Sequence, residues 1–340
     1  MVNFEKLFRN KSILITGGTG FLGRALIREI LKYHPQSIRL FSRDEVKHHR
    51  VNLEFGFDFP HGKLRHFIGD VRDYERLKKA MRGCDIVIHA AALKRIDMIE
   101  YNVEESIKTN ILGSLNVVKA ALDNRVEKVV FISTDKACSP VNTYGACKFV
   151  SERVFIESNF SKGKSKTSLI CVRYGNVINS TGSVIPFFVE KIKKGEEVPI
   201  TDERMTRFLI TEKQAVKLIF NALFYGQGGE VFVPRIPAFK ITDLADYLAQ
   251  RLGKECKKKF VGIRPGEKLH ELMINELESP RTLELEDFFI IQSQIKCYQP
   301  DKRVKYPKSA KRVNLEDFNS INSLLQGEEC GEYLARIINI

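Results

Sequence analysis

Short apolar runs rich in β-branched residues alternate with amphipathic stretches through the first half of the chain. The runs at 12–16, 38–42, 64–69, 86–90, 129–133 and 168–174 have the length and composition of buried strands. Between them, the segments 21–33, 74–81 and 104–124 repeat apolar positions at helical spacing. Strand and helix in alternation build βαβ units, so the pattern predicts an α/β fold with a doubly wound parallel sheet of the Rossmann kind. Ligands of such a sheet sit at the carboxyl ends of its strands. After 174 the order turns irregular, punctuated by Gly175, Gly182, Pro186, Pro199, Pro234, Pro237 and Pro265, and is expected to form a smaller C-terminal substrate-binding lobe. The expected division is 1–180 for the Rossmann domain, with elements of about 207–240 returning to it. Residues 181–206 and 241–295 then form the lobe, and 296–340 a basic C-terminal segment and tail.

Composition narrows the class. A chain of 340 residues, 43% of them hydrophobic, can bury one large core or two modest ones. No apolar run approaches the roughly 18 residues that span a bilayer. The first ten residues are too charged for a secretory signal, so a cytoplasmic protein without membrane contact is expected. Seven cysteines, at 84, 138, 147, 171, 256, 297 and 330, include no Cys-x-x-Cys pair and no clustered His/Cys set, which predicts reduced thiols and no metal site. The net charge of +13 is spread along the chain rather than gathered beside aromatic platforms, which argues against a nucleic-acid partner and suits an anionic phosphate substrate. Its densest cluster, Lys302, Arg303, Lys305, Lys308, Lys311 and Arg312, reads as a solvated segment.

Residues 12–23 read SILITGGTGFLG: a strand, then Gly17, Gly20 and Gly23 in a loop that opens a helix. Glycine is required where backbone turns tightly and approaches a pyrophosphate, whose charge then faces the helix N-terminus. Thr19, Phe21 and Leu22 complete that dinucleotide-binding loop. The second strand ends in Ser42, Arg43 and Asp44, about 20 residues beyond, where the cofactor's ribose is read. Arg43 suits a 2′-phosphate and predicts NADP in preference to NAD, with Asp44 near enough to serve the NAD alternative. Asp70 and Val71 after the third strand, and Ala90, Ala91 and Ala92 after the fourth, fall where adenine and nicotinamide riboside would lie.

The stretch STDKACSPVNTYGACK at 133–148 carries the candidate chemistry. Strand 129–133 should deliver Thr134, Asp135 and Lys136 beside the cofactor. Tyr144 and Lys148 are four apart at the start of a helix, and the ammonium is expected to depress the phenol from its ordinary value near 10. Such a tyrosine can take a hydroxyl proton as hydride leaves the same carbon. The resulting ketone acidifies the neighbouring C–H, and elimination of a further hydroxyl then needs another base and another acid, which Lys136 and Asp135 are placed to supply. A basic lysine must be neutral, so its value is expected to fall by about 3 from its usual 10.4.

The chain resembles the extended short-chain dehydrogenase/reductase superfamily, and within it the UDP-N-acetylglucosamine 4,6-dehydratases that invert carbon 5. The resemblance rests on TGGTGFLG, SRDE (42–45), GDVRD (69–73), HAAALK (89–94), STDKA (133–137), YGACK (144–148), RYGNV (173–177), PITDERMTRF (199–208), RPGEKLHE (264–271) and EDFFII (286–291). It implies a redox-neutral cycle on bound NADP in which Tyr144, aided by Lys148, oxidises carbon 4, Lys136 removes the carbon 5 proton and Asp135 helps expel the carbon 6 hydroxyl. The product would be UDP-2-acetamido-2,6-dideoxy-β-L-arabino-hexos-4-ulose, an intermediate toward pseudaminic acid and related surface glycans. It further implies that Lys94, Asn176, Arg207, Arg264 and Glu267 face the sugar and diphosphate of UDP-N-acetylglucosamine, and that the protein is a homo-oligomer, a hexamer by family habit. In the same segment His270 reads as a packed helical histidine and Glu271 as a solvated carboxylate. A UDP-sugar 4-epimerase, a carbon-5-retaining dehydratase and a non-catalytic sensor on the same fold are the alternatives. Epimerases resemble the chain in tyrosine and lysine but lack the Asp135-Lys136 pair, and the membrane-bound retaining enzymes usually carry methionine in place of Tyr144.

Overall fold

The computed structural model describes residues 3–56, 62–180, 183–295, 306–307, 309–313 and 315–338. Six parallel strands, β1 (Ser12–Thr16), β2 (Ser37–Ser42), β3 (Leu64–Ile68), β4 (Ile86–His89), β5 (Lys128–Ile132) and β6 (Ser168–Val172), run in the order β3-β2-β1-β4-β5-β6. The order reverses between β1 and β4, which opens a crevice at their carboxyl ends. Central strands are apolar because helices cover both faces; β1 is buried at all five positions. At the edge, β3 alternates toward solvent.

Beyond β6 the same sheet gains Val231–Pro234 in parallel, then Phe288–Ile291, Thr282–Glu284 and Lys311–Arg312 in antiparallel. Residues 282–291, grouped by sequence with the second lobe, therefore pair into the main sheet. The physical reason is the FFII run at 288–291, buried at every position. Lys311 and Arg312 form an exposed outer strand, where charge discourages edge-to-edge pairing. Lys302, Arg303, Lys305, Lys308 and Cys297 lie outside the described residues. The helix Glu45–Phe55 has weak apolar periodicity and escapes the sequence pattern; Asp44 caps it by accepting from the Lys47 amide.

A second core joins Val184–Lys194, Val198–Ile200 and Ile241–Arg251, with Phe188, Ile192, Leu244 and Leu248 buried at its centre. Helix Gly327–Ile337, from the part of the chain that resembles nothing familiar, closes this core with Cys330 and Leu334. Just before it, Phe318–Asn319 pairs antiparallel with Leu272–Ile274. Among the described residues, six cysteines are free thiols, no cluster of potential metal ligands occurs, and no helix is long and apolar enough to cross a membrane.

Candidate active site

The glycine loop is a cradle that side chains would fill. Gly17 has φ +68°, and a Cβ there would stand 3.0 Å from the Ala91 backbone. At Gly23 a Cβ would sit 2.2 Å from the Gly18 carbonyl, so only glycine lets helix Phe21–Ile30 abut the loop so closely. Gly20 opens that helix with no side-chain cap, leaving backbone donors for an anion. Thr19 Oγ1 bonds Ser42 Oγ at 2.8 Å, tying the loop to the end of β2. Arg43 is exposed and reaches Asp70 at 3.4 Å, while the Asp44 carboxylate is occupied by its helix cap. Val71 is buried, and Ala90, Ala91 and Ala92 follow β4, with the Ala91 amide donating to Thr16 Oγ1 at 3.2 Å. The predicted dinucleotide residues thus line the ends of β1 to β4, and the shape of the cradle fits a pyrophosphate.

At the end of β5, Thr134 accepts the Lys136 amide and starts the short turn Asp135–Ala137. Its hydroxyl donates to Asp135 Oδ1 at 2.9 Å, and Lys136 Nζ donates to the same oxygen at 3.0 Å. Tyr144 is hydrogen-bonded to Thr134, so phenol, hydroxyl, carboxylate and ammonium form one connected chain. Helix Thr143–Ser161 is held against this turn by Asn142, which caps the Gly145 amide and donates to the Gly266 carbonyl at 2.7 Å. A Cβ on Gly145 would lie 2.2 Å from the Lys136 carbonyl. The glycine between Tyr144 and Lys148 is what lets the helix touch the Asp135–Ala137 turn.

The electrostatics depart from expectation at two groups. Burial pushes the Tyr144 phenol up to about 12, against the lowering influence of Lys136 and the Thr134 hydrogen bond. Lys148 is not the cation that acts on it: its ammonium donates to the Ile132 carbonyl at 2.7 Å and lies 4.4 Å over the Phe131 ring. Burial brings Lys148 down to about 8. Lys136, expected to be depressed, is instead raised, because Asp135 and Glu271 together outweigh the burial that opposes its charge. The missing piece was the second carboxylate.

That carboxylate comes from the 264–271 segment. Glu271 is 2% exposed, not solvated, and its Oε1 lies 3.3 Å from Lys136 Nζ. His270 is not helical; it sits in a bend before strand Leu272–Ile274 and bonds Thr206 Oγ1 at 2.8 Å. Both corrections share one cause: the segment packs on the Asp135–Ala137 turn, with Lys268 Nζ donating to the Cys138 carbonyl at 2.6 Å. Arg207 is buried and donates to the carbonyls of Thr206, Lys268 and Leu269. Arg264 is largely exposed, 3.8 Å from Glu267. Asn176 starts a two-residue strand beside Leu209, and Lys94 is exposed after the β4 end. Sequence reading missed Glu271 and its anchor Ser320. The usable signal was a carboxylate immediately preceding a short apolar strand, in the same motif as Arg264 and Glu267.

Below the site, Arg173 is fully buried and bonds both Glu152 and Glu278, in hydrogen bonds of 2.7–3.1 Å. Glu152 belongs to the Tyr144 helix and Glu278 follows the 264–271 segment, so one guanidinium links both to β6.

A sheet of this order, with a glycine cradle at its reversal and a Tyr-x-x-x-Lys helix beside β5, defines a Rossmann enzyme of the short-chain dehydrogenase/reductase type. The chain belongs to the polysaccharide biosynthesis protein family, whose profile matches residues 13–293. It is 48% identical to the inverting UDP-N-acetylglucosamine 4,6-dehydratase of Campylobacter jejuni over 297 residues, 87% of this chain and 86% of that one. It is 39% identical to the UDP-glucose 4-epimerase of Rickettsia massiliae over 334 residues, 96% of each chain. The crystal structure of Pen from Bacillus thuringiensis superposes with a TM-score of 0.88 at 36% identity, over 98% of this chain and 99% of that one. DesIV, a dTDP-glucose 4,6-dehydratase from Streptomyces venezuelae solved with NAD bound, shares the fold at TM-score 0.68 and 23% identity, over 76% of this chain and 86% of that one.

Proposed function

We propose that this chain dehydrates UDP-N-acetylglucosamine across carbons 4 to 6 and inverts carbon 5. The observation that carries the reading is the connected chain Tyr144, Thr134, Asp135 and Lys136 at the end of β5. A bound dinucleotide would accept hydride from carbon 4 and return it to carbon 6; Gly17, Thr19, Gly20, Phe21, Leu22, Gly23, Ser42, Arg43, Asp70, Val71 and Ala90 to Ala92 would hold it. NADP is favoured over NAD because Arg43 is exposed for a 2′-phosphate while Asp44 is engaged as a cap. Tighter binding of NAD than of NADP would overturn that choice.

The Tyr144 phenol must first release its own proton to solvent, a loss that a cationic nicotinamide bound beside it would favour, and the phenolate then takes the proton of the carbon 4 hydroxyl. Lys136 and Asp135, 3.0 Å apart, can exchange one proton, turning ammonium and carboxylate into amine and acid. The amine then receives the carbon 5 proton while the C–H electrons become an enolate. Next the acid gives its proton to the departing carbon 6 hydroxyl, which leaves as water. The pair ends as ammonium and carboxylate, so its protons balance. Reprotonation of carbon 5 on the opposite face completes the inversion.

The second core forms the sugar-nucleotide lobe in this reading, and Arg264, Glu267, Lys94 and Asn176 supply the polar contacts that the resemblance implies. A guanidinium suits the diphosphate because its planar fork donates two parallel hydrogen bonds. Homo-oligomer formation, with a hexamer as the expected state, is supported by the exposed apolar residues Val103, Ile107, Leu112, Leu115, Phe149 and Val150. The free cysteines suit a cytoplasmic enzyme, whose keto-sugar product would feed surface glycans such as pseudaminic acid.

Incubation of the purified protein with UDP-N-acetylglucosamine tests the reading. Loss of one water, with deuterium entering carbon 5 in heavy water, is the expected result. An unchanged mass with altered stereochemistry would make the chain an epimerase, and a product keeping the carbon 5 configuration would make it a retaining dehydratase.

A further inference from the structure

Glu271 is the one carboxylate against Lys136 that the proposed reaction does not use. Its Oε1 lies 3.3 Å from Lys136 Nζ and 3.6 Å from Arg207 Nε, and its Oε2 is buried without a hydrogen-bond partner. The backbone is pinned on both sides: the Glu271 amide donates to Ser320 Oγ and the Ser320 amide donates to the Glu271 carbonyl, each at 2.8 Å. Ser320 Oγ in turn meets Thr206 Oγ1 at 2.6 Å. Three separated parts of the chain therefore hold a buried carboxylate on one catalytic amine. Buried polar oxygens are normally satisfied, so an orphan beside a reacting group calls for a role.

We infer that Glu271 is a positioning residue for the dehydration: it fixes the Lys136 amine beside Asp135 and sets the pH at which that amine becomes neutral. The inference rests on the dehydratase reading above. The charged and titratable groups facing Lys136 are Asp135 on its own turn, Tyr144 on the following helix, Arg207 on strand Thr206–Ile210, and Lys268 and Glu271 on the segment packed over it. Of these, only Asp135 and Glu271 draw the ammonium's value upward. With Glu271 neutralised, the amine loses its proton at lower pH.

The test compares the wild-type enzyme with Glu271→Gln and Glu271→Asp, each loaded with NADP, by following dehydration rate and deuterium entry at carbon 5 against pH. Because amine and acid share one proton, the pair acts only while it holds that proton, and rate falls as pH climbs through the value at which the pair loses it to solvent. Glu271→Gln should move that fall to lower pH by about 1 or more, the size of one lost charge contact. Glu271→Asp keeps the charge and should leave the fall where the wild type has it. A carboxylate with only a structural role would scale the rate equally at every pH, and a Glu271→Gln profile coincident with wild type overturns the inference. If the wild type returns its substrate unchanged, the dehydratase reading falls and takes this inference with it. Should Glu271→Gln not fold, 15N titration of the wild-type Lys136 amine decides: an ammonium persisting above the usual lysine value of about 10.4 supports the role, and an amine that becomes neutral at or below that value refutes it.

Discussion

Two lysines twelve positions apart mark two regions of this site, and their surroundings shift them in opposite directions. Lys148 lies under the site, its ammonium held by the Ile132 carbonyl and an aromatic face, and burial lowers it to about 8. Lys136 lies between Asp135 and Glu271, largely but less completely enclosed, and is raised although burial opposes its charge. Enclosure alone does not decide an amine's charge; the carboxylates brought to it do. The first lysine is set by one helix and one strand. The second depends on a segment more than 130 residues away.

The comparison breaks most sharply at Lys136. Lys136→Ala should lower dehydration by about 10²- to 10⁴-fold, the span of a lost acid-base group, while still allowing oxidation at carbon 4. Product mass and transient nicotinamide absorbance read the two steps separately, and normal water loss by the variant would remove Lys136 from the base role.

Arg173→Met tests what lies beneath. It leaves Glu152 and Glu278 buried without their cation, which should cost about 3–5 kcal/mol in urea unfolding. Glu152 is also the leading carboxylate that raises Lys148 against burial. With its partner gone, Lys148 should titrate at higher pH and the gap between the lysines should narrow. A loss under about 1 kcal/mol would mean the network is not needed for stability.

The smallest effect is on pH-dependent stability. Lys148 is depressed in the fold, so between about 8 and its unfolded value near 10.4 the unfolded chain holds the extra proton and stability rises with pH. Lys136 is raised, so its contribution is full below about 10.4 and is lost only as pH climbs through its higher native value. Denaturant unfolding of wild type and Lys148→Met at pH 7 to 10 should give curves that differ in slope in that window; parallel curves would contradict the lowered value of Lys148.

Much of the fold is legible in the chain. All six parallel strands fall within two residues of their predicted bounds; the inner ones are plain because a strand buried on both faces must be continuously apolar. The glycine loop is equally plain, since positive φ and contacts under 3 Å leave no room for a side chain. The helix at Glu45–Phe55 was hidden because most of its residues face water, with only His48 and Val51 buried, and its start rests on one capping side chain. Glu271 was hidden for a different reason: in sequence it is one charged residue among many.

By itself the sequence determined the parallel sheet, the phosphate cradle and the presence of tyrosine, two lysines and an aspartate near β5, because local periodicity and backbone sterics act over a few residues. Only the tertiary structure decided the charge each of those groups carries. Charge depends on which distant carboxylates are buried within a few ångströms, and here the pairing of Leu272–Ile274 with Phe318–Asn319, together with Ser320, delivers Glu271 to Lys136.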